Sequence, residues 1–96
     1  MTREETLDKA KAAVTGERES TYGGPEDSFG LISALWEPYI KNKCAGPGSL
    51  ICIEPEDVAI LLALLKIARL ASSPTHEDSW VDLAGYAACG AEIGTK

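Results

Sequence analysis

Apolar residues recur at helical spacing in four separate stretches of this 96-residue chain. The first stretch predicts a helix over residues 2–15, with Leu7, Ala10, Ala13 and Val14 on the buried side and Gly16 as its stop. A second helix is expected over residues 26–41, turning Phe29, Ile32, Leu35, Trp36 and Ile40 inward. Pro25 suits its first turn, and Glu26 and Asp27 suit the positive end of the helix dipole. Pro38 falls inside this run and predicts a kink or an early end. The third helix, residues 55–71, opens on Pro55 with Glu56 and Asp57 in its first turn. It is apolar almost all round, the pattern of a central buried helix. After the breaker "SSPT", a fourth helix is expected over residues 76–93, with Thr75 as its cap and Gly94 just past its end.

Between these lie a polar loop, residues 16–25, closed by the turn chemistry of Gly23-Gly24-Pro25, and a connector, residues 42–54. The segment "SLICI" could extend, but a lone strand has no partner to pair with. The expected architecture is one all-α domain over residues 1–96, a small four-helix bundle with a buried central helix.

Composition narrows the functional classes. The net charge of -6 opposes binding to a DNA or RNA duplex through a broad basic face. No run has the length and apolarity of a membrane span, and the charged start "MTREETLDKAKAAV" lacks a signal core, so the expected location is the cytoplasm. Cys44, Cys52 and Cys89 read as reduced, partly buried thiols. With His76 the lone histidine, they lack the spacing of a zinc site.

The candidate chemistry sits on polar residues that interrupt apolar faces. Lys66 and Arg69 are neighbours on the third helix, and a buried cation without a partner costs several kcal/mol. Asp78, Asp82 and Tyr86 share one face of the fourth helix at i, i+4, i+8. A short turn makes the two helices antiparallel, so Asp78 and Asp82 are the expected partners of Lys66 and Arg69. One reading is an ion-pair network that holds the hairpin together. The other is a polar pocket between the third and fourth helices. There cations meet phosphates, the aspartates hold Mg²⁺ or a ribose hydroxyl, and Tyr86 stacks or hydrogen-bonds. Asp57, in "IEPEDV", is a further candidate metal ligand through Glu54-x-x-Asp57, or simply an acid at a helix start. In the loop, Tyr22 could stack on a base and Arg18 meet a phosphate, or the loop could simply be solvated. No Walker loop and no dinucleotide fingerprint occurs.

Several blocks together carry a resemblance: Gly16 and Arg18, Tyr22 to Pro25, Phe29, Trp36, Glu56 to Val58, Lys66 to Arg69, and Asp78 through Tyr86. They resemble a family of short all-helical phage and prophage proteins catalogued as a domain of unknown function. That family looks like a distant relative of the MazG-like nucleoside triphosphate pyrophosphohydrolases. The resemblance implies an all-α fold, Mg²⁺ held by carboxylates on two helices, and water attack between the α and β phosphates. The chain departs from the enzymes' carboxylate pattern: its second helix offers only Glu37 in its body, and Pro55 places Glu54-x-x-Asp57 at a helix start.

Three functions compete on these residues. In the first, the chain is a nucleotide-binding phage protein, with Arg18, Tyr22, Lys66, Arg69 and Tyr86 on the ligand and Asp57, Asp78 and Asp82 on Mg²⁺, either hydrolysing the nucleotide or not. In the second, it is a sponge that sequesters a cyclic or other signalling nucleotide of bacterial anti-phage immunity. In the third, it is a structural or interaction protein without a ligand. A homo-oligomer is expected in each case, because small domains gain core that way.

Overall fold

A computed structural model describes residues 1–16, 23–46, 48 and 50–96. Four helices make up the fold: α1 (Arg3–Thr15), α2 (Pro25–Cys44), α3 (Pro55–Ser72) and α4 (Glu77–Gly94). There is no strand among the described residues, and the segment around Ile51 to Ile53 has no regular structure. The architecture is a small all-α bundle.

The helix starts follow local chemistry. Thr2 caps α1 through a capping box: the Glu5 N–H donates to Thr2 Oγ1 at 3.1 Å, and the Thr2 N–H donates to Glu5 Oε1 at 3.3 Å. At α3, the Glu54 N–H donates to Asp57 Oδ2 at 2.9 Å while Pro55 fills the first turn. His76, rather than Thr75, caps α4, its Nδ1 accepting from the Ser79 N–H at 3.3 Å.

Pro38 neither ends α2 nor shortens it; the helix runs on to Cys44. The missing N–H would have bonded the Ala34 carbonyl, and both residues lie on the exposed side. Water can therefore take that carbonyl, and the cost of an interior proline falls.

The α3–α4 hairpin is the centre of the molecule. Ala59 meets Gly90, Glu56 meets Gly94, and Lys66 meets Asp82, which fixes an antiparallel register. A Cβ on Gly90 would stand 2.9 Å from Ala59 Cβ, so glycine is what lets the helices approach this closely. α1 lies against α4, and α2 lies mainly against α3. α1 and α2 do not pack on each other, which leaves a gap between them among the described residues.

α3 is not buried all round. Val58, Ala59, Lys66 and Leu70 are buried, but Ile60, Leu61, Leu64, Leu65 and Ile67 are between 39% and 57% exposed. Only α2 and α4 pack on it, and two neighbours cannot enclose a helix that is apolar on every face. Among the described residues the buried apolar set is small: Ala10, Val58, Ala59 and Leu70.

Candidate functional site

The gap between α1 and α2 is a cleft of about 650 Å³. One wall is Val14, at the C-terminal end of α1. The facing wall is the start of α2, from Gly23 and Pro25 through Phe29 to Ile32. Leu62 of α3 and Tyr86 and Cys89 of α4 form the floor. Most of these residues are apolar; Asp27, Ser28 and the Tyr86 hydroxyl supply polarity. The described residues on either side of positions 17–22, namely Val14–Gly16 and Gly23–Gly24, both border or adjoin this cleft.

Local sequence explains the mouth. Gly23 has φ 81, a left-handed conformation that favours glycine. Gly24 is then the N-cap of α2 and offers no capping side chain. In the first turn Pro25 has no N–H and the Asp27 and Ser28 N–H groups both donate to the Gly24 carbonyl at 3.1 Å, which among the described residues leaves the Glu26 N–H to solvent or a ligand.

One helical turn from the floor is an ion pair. Lys66 Nζ lies 2.9 Å from Asp82 Oδ2; the Lys66 side chain is 11% exposed and that of Asp82 is 30% exposed. Lys66 is one turn beyond Leu62, and Asp82 one turn before Tyr86. The pair does not line the cleft; it bridges α3 and α4, where the sequence pattern had placed a polar pocket. Lys66 and Asp82 neutralise each other there, and the open volume lies instead between α1 and α2.

Arg69 and Asp78 do not join this network. Both are exposed, and neither makes an ion pair with a described residue. Arg69 sits about 60° round α3 from Lys66, enough to turn it away from α4. Asp57 lies at the opposite end of the hairpin, separated from Lys66 by about 13 Å of helix, and its carboxylate accepts from the Glu54 N–H. Asp57, Asp78 and Asp82 thus do not converge on one point. Among the described residues no group of three or more His, Cys, Asp or Glu side chains is arranged to hold a metal ion. Arg18 and Tyr22 lie outside the described residues.

A second polar cluster was not singled out by the sequence pattern. Glu37 Oε1 accepts from the Ile53 N–H at 2.8 Å, which ties the connector to the body of α2. That hydrogen bond, helped by the Cys52 thiol and by Lys41, holds the Glu37 carboxyl below its ordinary value of 4.5. The Cys52 Sγ–H donates to Glu54 Oε1 at 2.9 Å. Glu54, with Glu37 also near, pushes the thiol up from 9.0 to about 11. Cys44 and Cys52 are both exposed, whereas Cys89 is half-buried on the cleft floor. The signal for this cluster was Glu37, the one carboxylate in the body of α2, but its partner is a backbone N–H, which side-chain patterning does not reveal.

No helix among the described residues is long and apolar enough to cross a membrane. No solved structure matches the chain. Two curated proteins do. The "Gene 55 protein" of Mycobacterium phage D29 is 37% identical over 86 residues, covering 90% of this chain and 51% of its own length. The "Gene 55 protein" of Mycobacterium phage L5 is 36% identical over 81 residues, covering 84% of this chain and 47% of its own. The chain therefore spans about half the length of these phage relatives. A family profile described as a domain of unknown function, DUF6378, matches residues 5–94, nearly the whole fold from α1 to α4, and the chain belongs to that family.

Proposed function

We propose that this chain is a phage nucleotide-binding protein that acts in the cytoplasm of an infected bacterium and holds its ligand in the cleft between α1 and α2. One observation carries the reading: Tyr86 lines a mainly apolar cleft that the start of α2, which has no side-chain cap, also lines. A nucleobase is flat, with apolar faces, and suits a slot between Phe29, Ile32, Leu62 and the Tyr86 ring. The Glu26 N–H, left without a partner among the described residues in the first turn of α2, suits a phosphate oxygen. Arg18 and Tyr22, which fall between α1 and α2 in the sequence, would in this reading add a cation and a second ring. Lys66 and Arg69 are one and two turns beyond Leu62. A phosphate reaching Lys66 would compete with Asp82 for its ammonium, so in this reading the phosphates lie nearer α2.

The carboxylates favour retention over cleavage. Asp57 is at one end of the hairpin and Asp82 at the other, and Asp82 is engaged by Lys66. A Mg²⁺-dependent pyrophosphohydrolase of the MazG-like kind needs several carboxylates on one ion. The reading that follows is a sponge for a nucleotide, including a cyclic signalling nucleotide of anti-phage immunity. Calorimetric titration of the full chain with mononucleotides and cyclic dinucleotides, with and without Mg²⁺, tests it. The expected result is metal-independent binding of at least one compound, recovered intact. Turnover only in the presence of Mg²⁺ would favour the hydrolase, and no binding across the panel would overturn both.

A further inference from the structure

We infer that the exposed face of α3 is the contact surface for a second copy of this chain. Ile60, Leu64 and Ile67, continued by Ala71, recur at alternating four- and three-residue steps, the seam along which one helix packs on another. Leu61 and Leu65 widen the seam to one side. No charged residue interrupts it: within residues 60–71 the charges are Lys66, buried against Asp82, and Arg69, well round the helix. Ile60 is 57% exposed and Leu64 52%, so the seam is open to water in the single chain.

The occupant follows from area and pattern. The chain exposes 6496 Å² at a mass of 10.2 kDa, against about 5,300 Å² for a monomeric protein of that mass. The excess, on the order of 1,200 Å², exceeds the roughly 800 Å² that each partner of a standard interface covers. Its radius of gyration is 14.8 Å, where about 12.5 Å is ordinary for this length. An uninterrupted helical seam is self-complementary, and a two-fold pair lets the same residues of both copies meet. Leu62, on the cleft floor, lies about 160° round α3 from Leu64. Pairing along α3 therefore leaves the cleft open, and its test is independent of ligand binding.

Analytical ultracentrifugation of the full chain over a range of micromolar concentrations reads the state directly. The expected result is a dimer, with Leu64→Glu weakening association at least tenfold. Leu64→Gln, a milder change at the same exposed position, should weaken it less, with the helical circular-dichroism spectrum retained. A wild-type monomer throughout the range would overturn the inference. So would a dimer whose association is unchanged by Leu64→Glu, because the contact would then lie elsewhere.

Discussion

Lys66 Nζ of α3 stands 2.9 Å from Asp82 Oδ2 of α4, and the two side chains are unequally exposed, at 11% and 30%. The inequality gives the pair a direction. Replacing Asp82 with alanine leaves a nearly buried ammonium unpaired, whereas Lys66→Met leaves a carboxylate that water still reaches. Asp82→Ala should therefore cost about 2–3 kcal/mol and Lys66→Met less than about 1 kcal/mol. Urea denaturation of the two variants checks this; equal costs would place the pair in solvent rather than in the core.

Gly90 offers a second stability test. Alanine there gains about 1 kcal/mol in helix propensity. Its Cβ, however, would meet Ala59 Cβ at 2.9 Å, and Ala59 is buried with no flexible end to swing aside. Overpacking costs roughly 1–3 kcal/mol. The net outcome of Gly90→Ala should be destabilisation, read as a melting temperature lower by about 4–8 °C per kcal/mol lost. Gly85→Ala would meet the Val14 side chain at 3.0 Å, a contact that can shift, so its loss should be smaller.

The register between α3 and α4 was legible in the sequence because a short turn and two strong breakers left little choice. It placed Lys66 opposite Asp82 correctly. It also offered Arg69 and Asp78 as partners, since residues three apart count as neighbours on a helix. The rotation between them is enough to carry Arg69 into water. The apolar circumference of α3 was legible too, but it implied burial only if enough helices surround α3. One chain supplies too few, and the seam of Ile60, Leu64 and Ile67 stays open. The cleft was not legible. It exists because α1 packs on α4 and not on α2, a pairing choice that amphipathic patterns leave undetermined when several helices have wide apolar faces.

Cys52 should be a slow thiol despite its exposure. Its pKa is raised from 9.0 to about 11, so the folded state favours the neutral thiol. The contribution to stability is complete below 9.0 and fades as the pH rises through about 11. Near pH 8 the thiolate fraction should be about a hundredfold below that of an unperturbed cysteine. Site-resolved iodoacetamide labelling by mass spectrometry checks this. Glu54→Gln should accelerate labelling at Cys52, because the first and largest cause of the raised pKa is then gone. An unchanged rate would mean that the Cys52–Glu54 hydrogen bond does not form in solution.

Tyr86 is the most direct handle on the cleft. It is half-buried on the floor and makes no ion pair, so Tyr86→Phe should fold as the parent does. Tyr86→Ala should lose at least tenfold in affinity for a bound nucleotide, and Tyr86→Phe much less if the ring stacks rather than donates. Calorimetry on the two variants separates stacking from hydrogen bonding by which one loses affinity.

The central claim is that this phage-related fold holds a nucleotide in the cleft between α1 and α2. Mass spectrometry of small molecules released by denaturing the native, gently purified protein tests it most directly. The expected result is an intact nucleotide released from the wild-type chain and lost from Tyr86→Ala. Release of no nucleotide from the wild type, with no shift in melting temperature across a nucleotide panel, would contradict it, since a ligand at 100 times its Kd should stabilise the fold by about 2.7 kcal/mol.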